Sequence, residues 1–207
     1  MANIMDCLVP ISLFNKGQAT KIFNRLRETK ELFVLKNNQP SAVILSPEEY
    51  TRLTEIEENY MLLLEATNRL EENGTKPAVP MESVMADLGI SEKGSGDRMS
   101  WSVEFLEEAK KDIQKLERSA TIQVLKGIQK VSQNPLPVQE GGYGKPLGNK
   151  NGVNLTKLLK IKFRDLGIRV VYKIERMEDV MKIIVISART DEQVYREAAR
   201  QRQKYEL

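Results

Sequence analysis

At 207 residues, with 41% apolar and 29% charged side chains, the chain has the size of one large soluble domain or two small ones. It has no histidine and a single cysteine, Cys7, which removes Ser-His and Cys-His catalysis, the commonest metal ligand and any intrachain disulfide. The net charge of +3 hides an asymmetry: residues 1–98 carry 11 basic and 15 acidic side chains, net −4, and residues 99–207 carry 21 and 14, net +7. Opposite signs predict that the halves attract each other and that the second meets a polyanion. No apolar run reaches the roughly 18 residues of a membrane span, and no basic-plus-apolar leader opens the chain. A cytoplasmic protein with no membrane partner is expected.

In chain order, Leu8–Ser12 is a short apolar run, and Ala19, Ile22, Phe23 and Leu26 fall at helical spacing between Asn15 and Arg27. Glu31–Lys36 and Ser41–Leu45 read as strands joined by the turn Asn37-Asn38-Gln39-Pro40, a hairpin. Ser46-Pro47-Glu48-Glu49 has the form of a helix start, with a serine cap, proline at the first position and acids in the first turn. That helix runs to about Glu72, with Tyr50, Leu53, Ile56, Tyr60, Leu63, Leu64 and Leu70 expected along one side. Residues 47–72 hold eight Glu against two Arg. A helix this long and acidic on so small a body is an arm suited to a basic partner, although a solvated charged helix has the same composition. Asn73-Gly74 stops it, Lys76–Pro80 is extended, and Met81–Leu88 forms a short helix ended by Gly89.

The polar stretch Ser91–Arg98, with Gly94-Ser95-Gly96 inside it, reads as a connector. Met99 then opens a new pattern: a strand at Trp101–Phe105, an antiparallel pair of helices at Leu106–Arg118 and Thr121–Ser132, and a break at Asn134-Pro135-Leu136-Pro137. Three strands follow at Thr156–Phe163, Ile168–Ile174 and Val180–Ser187, an antiparallel meander whose last member is apolar enough to be central. A terminal helix is expected from Asp191. Gly141-Gly142-Tyr143-Gly144-Lys145 is not a phosphate loop. It lacks the first glycine, and Pro146 stands where magnesium-binding Ser or Thr would be; a flexible surface loop is expected instead.

Lys160-Ile161-Lys162-Phe163-Arg164 alternates basic and apolar residues, so in a strand Lys160, Lys162 and Arg164 share one face. Arg169 and Lys173 share a face of the next strand, Arg189 follows the third, and Tyr195 lies in the final helix. If these faces coincide, several cations gather with no carboxylate in the stripe. Such crowding gains nothing unless an anion compensates it, and RNA phosphate is the natural candidate. A solvated face guarding a sheet edge gives the same pattern. RNA cleavage by attack of the 2′-oxygen needs a base, charge stabilisation at phosphorus and an acid for the departing 5′-oxygen. Without histidine the base falls to a lysine, the arginines suit the phosphate, and Tyr195 suits stacking on a base. No cofactor and no metal are required.

The second half resembles the RelE/ParE toxin superfamily over residues 100–204, on K-I-K-F-R at 160–164, G-I-R-V-V-Y at 167–172 and I-S-A-R followed by V-Y at 186–195. The resemblance implies an antiparallel sheet packed by two N-terminal helices and a C-terminal helix. It also implies ribosome-dependent cleavage of messenger RNA by Lys160, Lys162, Arg169, Arg189 and Tyr195, with Arg164 and Lys173 in support. The subtype that uses a histidine is disfavoured. A ParE-like inhibitor of DNA gyrase, or a DNA-binding regulator with an inert toxin-like half, remains the alternative.

The first half resembles the Phd/YefM antitoxins over residues 1–90, most clearly in V-I-L-S-P-E-E-Y at 43–50. That implies a homo-oligomer formed through the N-terminal body, operator DNA as partner, and Lys16, Arg25 and Lys36 as DNA contacts. It also implies an arm that neutralises the toxin within or between chains, through Tyr60, Leu63, Leu64, Leu70, Met81, Met85 and Leu88. The expected architecture is α+β in two modules: residues 1–90 as antitoxin (1–50 the body, 51–90 the arm), 91–98 as linker and 99–207 as toxin.

Overall fold

The computed structural model describes residues 4–73, 76–91, 101–147, 149–150, 153–154 and 157–188. The connector at 92–98 and the terminal helix, with Arg189 and Tyr195, lie outside the described residues. The chain divides into two compact units, Met1–Glu58 and Asn59–Leu207. Both mix helix and strand, as the sequence predicts.

The first unit contains β1 (Leu8–Pro10), α1 (Ser12–Asn15), α2 (Ala19–Thr29), β2 (Glu31–Lys36) and β3 (Gln39–Leu45). β2 is central, parallel to β1 and antiparallel to β3. The hairpin turns on Asn37 and Asn38, whose φ angles of 53° and 57° are the left-handed values a two-residue hairpin needs and asparagine tolerates. The main helix starts at Ala19 rather than near Asn15, because Gly17 takes φ 70° and separates it from α1. Leu32 packs with Val9, Ile22 and Leu26 in a small core. Ser46 Oγ accepts the Glu49 N–H at 3.1 Å and so caps α3 (Pro47–Asn73), with Pro47 at its first position.

In the second unit, α3 from Asn59 onward leads to β4 (Val79–Pro80) and α4 (Met81–Asp87). β5 (Ser102–Phe105), α5 (Glu107–Gln114) and α6 (Arg118–Ser132) come next. β6 (Lys145–Pro146), β7 (Asn149–Lys150), β8 (Val153–Asn154), β9 (Leu158–Phe163), β10 (Ile168–Glu175) and β11 (Val180–Ala188) complete it. The main sheet has the order β4-β5-β11-β10-β9-β6, and β7 and β8 form a separate hairpin. β11 is central, antiparallel to β10 and parallel to β5. The first of the paired helices ends four residues earlier than expected: Glu117 is extended and accepts the Thr121 N–H at 2.9 Å, so the second helix begins at Arg118.

Apolar residues of α5, α6 and both sheet faces, among them Ile113, Leu125, Ile128, Leu159 and Tyr172 on the helix side and Leu158 and Val171 on the other, form one contiguous buried cluster. α6 approaches β9 so closely that a Cβ on Gly127 would lie 2.3 Å from the Phe163 ring. Leu62, Ala66, Met81, Val84 and Met85 belong to the same core, so α3 and α4 of this unit are built into it.

Candidate functional site

Strand register brings the basic residues together. Lys162 lies opposite Arg169, Lys160 opposite Val171, and Leu158 opposite Lys173. Directly opposed residues share a sheet face, with Cβ atoms about 5 Å apart. Lys160, Lys162, Arg169 and Lys173 therefore project to one side, while Ile161, Phe163, Ile168 and Tyr172 face the helices. Arg169 is also opposite Ser187 on β11. Beyond β9, Lys145 of β6 lies opposite Lys160 and adds a cation the sequence reading did not include; its edge strand is only two residues long, too short to show alternation.

Lys160 and Arg169 are buried, at 4% and 5% exposure, Lys162 and Lys173 are half-buried, and Arg164 is exposed. Burying a cation is costly unless it is hydrogen-bonded. Arg169 Nη1 donates to the Ile168 carbonyl at 3.2 Å, and Lys160 Nζ donates to Asn59 Oδ1. The stripe does contain carboxylates, contrary to expectation. Lys182, opposite Lys173, donates to Glu175 at 2.8 Å and lies 4.0 Å from Glu104. These carboxylates sit at the Lys173 end of the face.

α3 crosses this face. Asn59 meets Lys160 on β9, and ten residues later Arg69 Nη1 donates to the Ile184 carbonyl of β11 at 3.0 Å. Ten helical residues span about 15 Å, enough to cross three strands spaced about 4.8 Å apart. Between them, Leu62 and Ala66 are buried, at 6% and 0% exposure. Arg69 also grips Asp112 of α5, with Nη1 2.6 Å from Oδ2, and Asp112 accepts the Ile186 N–H at 3.2 Å. Burial works against the Arg69 charge. Its bonds to Asp112 and then Glu65 outweigh that and raise its pKa.

The chain then adds β4 to the free edge of β5, pairing Val79 with Phe105. Met81, Val84 and Met85 are buried, Asp87 Oδ2 lies 2.7 Å from Lys110 Nζ, and the Gly89 carbonyl accepts from Arg118 at 3.3 Å. Of the residues expected to make this contact, Met81 and Met85 are in the core, and Leu63, Leu70 and Leu88 pack against it. Tyr60 and Leu64 do not: they are 59% and 44% exposed. Their places are taken by Leu62, Ala66 and Val84, with polar Asn59 and Arg69 at the two ends.

In the first unit the three expected DNA contacts do not form one cluster. Lys16 follows α1 and Lys36 ends β2, both exposed, at the end of the sheet where the Ile11 N–H meets the Leu35 carbonyl. Arg25 is half-buried and turns toward the opposite end, donating to the carbonyls of Asp6 and, at 3.2 Å, Leu8. Among the described residues, no group of three or more His, Cys, Asp or Glu side chains is placed to hold a metal, and no helix is long and apolar enough to cross a membrane.

These features define an α+β protein in which a helical arm lies over a basic sheet face. Residues 10–79 match the family model described as antitoxin Phd_YefM, type II toxin-antitoxin system. No curated protein sequence matches the chain. Among solved structures, the chain is similar to the toxin-antitoxin complex RelBE2 from Mycobacterium tuberculosis (24% identity, 45% of this chain and 98% of that one, TM-score 0.36). It is similar to the isolated E. coli RelE toxin (25% identity, 48% and 95%, TM-score 0.36), and to the intact E. coli RelBE toxin-antitoxin complex (25% identity, 42% and 94%, TM-score 0.33).

Proposed function

We propose that the chain is a toxin–antitoxin pair in one polypeptide. Residues 99–207 are a ribosome-dependent messenger-RNA endonuclease, residues 1–50 a dimeric operator-binding body, residues 51–90 the neutralising arm and residues 91–98 the linker. The reading is supported above all by one contact: Asn59 of the arm accepts a hydrogen bond from the buried Lys160, on the face where Lys162 and Arg169 are opposed. A carboxamide oxygen there takes the place a phosphate or 2′-oxygen of RNA would occupy.

In the uncovered site, Lys160 or Lys162 takes the proton of the 2′-hydroxyl as its oxygen attacks phosphorus. The bond to the 5′-oxygen breaks, that oxygen receives a proton from the other of the two lysines, and a 2′,3′-cyclic phosphate remains. Arg169 stabilises the charge accumulating on the phosphoryl oxygens, which the planar, permanently protonated guanidinium suits. Arg189 and Tyr195 complete the set by resemblance, with Arg164 and Lys173 holding flanking phosphates. With the arm in place the fused chain is latent in the cytoplasm, and Lys16 and Lys36, exposed at one end of the first unit's sheet, serve operator binding and autorepression, while Arg25 holds the carbonyls of Asp6 and Leu8 at the other end.

Residues 99–207, added to programmed ribosomes, are expected to cut message in the A site. Arg169→Ala is expected to lower the rate about a hundredfold or more, the scale for losing one transition-state charge partner. Intact message at enzyme excess would overturn the endonuclease reading.

A further inference from the structure

The loop leading into β6 has no part in that reaction, and it is not the loose segment its glycines suggest. The Val138 N–H donates to the Gly144 carbonyl at 3.0 Å, the Gly144 N–H to Leu136 at 2.9 Å, and the Gly142 N–H to Pro137 at 3.1 Å. The Tyr143 N–H donates to Asn134 at 3.1 Å, and Asn134 Nδ2 closes the loop on the Gly141 carbonyl at 3.1 Å. A Cβ on Gly142 would lie 2.1 Å from the Leu136 carbonyl oxygen, and one on Gly144 would lie 2.3 Å from Tyr172 Oη. Both glycines are therefore required by close approach, and between them Tyr143 is held with its side chain 55% exposed.

The missing Cβ of Gly144 points at Tyr172, on the helix side of the sheet. Its neighbours on either side, Tyr143 and Lys145, are accordingly directed to the other side, the face on which Lys145 opposes Lys160. Lys145 is exposed. An aromatic side chain on an ordered backbone, two residues from a lysine on the rim of a cationic face, presents one flat apolar surface and one charge about 7 Å apart along the chain, a separation that one nucleotide's base and phosphate can bridge. A loop backbone already ordered gives up little entropy on binding. A duplex has no free base face to offer it, whereas an unpaired strand does.

We propose that Tyr143 and Lys145 form a ledge for single-stranded RNA, with Tyr143 stacking on one unpaired base and Lys145 meeting the adjoining phosphate. The inference rests on the RNA reading of the neighbouring face and adds to it a binding site outside the reacting groups. Both side chains are exposed while the arm is docked, so the ledge works in the latent chain: the full protein holds RNA that it does not cut.

The test uses the full chain carrying Lys16→Glu and Lys36→Glu, which silences the first unit, and a fluorescein-labelled 12-nucleotide RNA followed by anisotropy. Tyr143→Ala is expected to weaken binding about tenfold, and Tyr143→Phe to stay within about twofold because the ring is kept. Lys145→Glu is expected to weaken binding and flatten its salt dependence by about one ion. A duplex RNA of the same length should bind weakly and be indifferent to Tyr143. Equal affinity for Tyr143→Ala and the parent, or equal loss in the Phe variant, would overturn the ledge. Ribosome-dependent cleavage by residues 99–207 and its loss in Arg169→Ala are scored separately, so either idea can fall without the other.

Discussion

The two units differ most in how well they fill themselves. The second has a continuous core with Phe105, Ile113, Ile128, Tyr172, Met181 and Ile183 essentially inaccessible, and it reaches that state by using Leu62, Ala66, Met81, Val84 and Met85 from α3 and α4. The first buries little more than Val9, Ile22, Leu26 and Leu32 together, while Phe23, Val43, Tyr50, Leu53 and Ile56 are each at least 42% exposed. α2 covers only one face of its three-stranded sheet. The other face, with Phe33 opposite Val43, leaves Val43 53% exposed, and β3 is an open edge among the described residues. Small sheets left in that state need a partner. The arm completes one unit, and a second copy of the chain is the partner we propose for the other.

The sharpest way to break this comparison is to place a charge on the uncovered face. Val43→Asp is expected to raise the dissociation constant of a dimer about a hundredfold or more, since an unpaired carboxylate would be trapped in apolar contact. Sedimentation equilibrium would read it as a halved mass at micromolar concentration. A parent chain that is itself monomeric there would sink the proposed dimer.

What was legible in the sequence follows the same division. Alternation placed Lys160, Lys162 and Arg164 on one face of their strand, because a strand's period of two separates them from Ile161 and Phe163; that Arg169 of the next strand shares this face was left open by the sequence and follows only from the register. The capping serine and the central position of β11 were equally plain. α3 was harder, because it carries two apolar stripes. Tyr50, Leu53, Tyr60 and Leu64 follow one and are exposed; Leu62, Ala66 and Leu70 follow another, roughly half a turn round, and are packed. Aromatic and large aliphatic residues drew attention to the first stripe. The second is marked by a small alanine that permits close approach and by polar Asn59 and Arg69, whose value appears only when Lys160 and Asp112 are seen opposite. β4 was read as extended chain, but its pairing with β5 is a long-range fact without a local signal.

The arm's hold on the second unit can be weakened without touching the basic face. Arg69→Ala leaves Asp112 without its guanidinium where both side chains are about 14% and 13% exposed, and takes the donor from the Ile184 carbonyl. A cost of about 2–3 kcal/mol is expected, below the figure for a fully buried pair because water reaches the edge. It should appear as faster amide exchange along residues 62–70, with α5 and α6 protected as before. Unchanged exchange there would mean that apolar packing alone seats the arm.

The smallest effect concerns the post beneath the loop that displays Tyr143. Tyr172 is fully buried, its hydroxyl donates to the Pro135 carbonyl at 2.8 Å, and burial pushes its pKa well above that of an exposed phenol. Tyr172→Phe removes that donor and should cost about 1 kcal/mol at neutral pH, read from the urea midpoint. The sign of the pH dependence is fixed by the upward shift. A phenol that holds its proton more tightly in the folded state contributes full stability below its unfolded pKa of about 10 and loses it as pH rises from there toward the folded value. The parent should therefore lose stability faster than the Phe variant above about pH 10, and the gap between them should close. Parallel curves across that range would mean that the hydroxyl reaches water, and that the loop carrying Tyr143 is less firmly held than its hydrogen bonds imply.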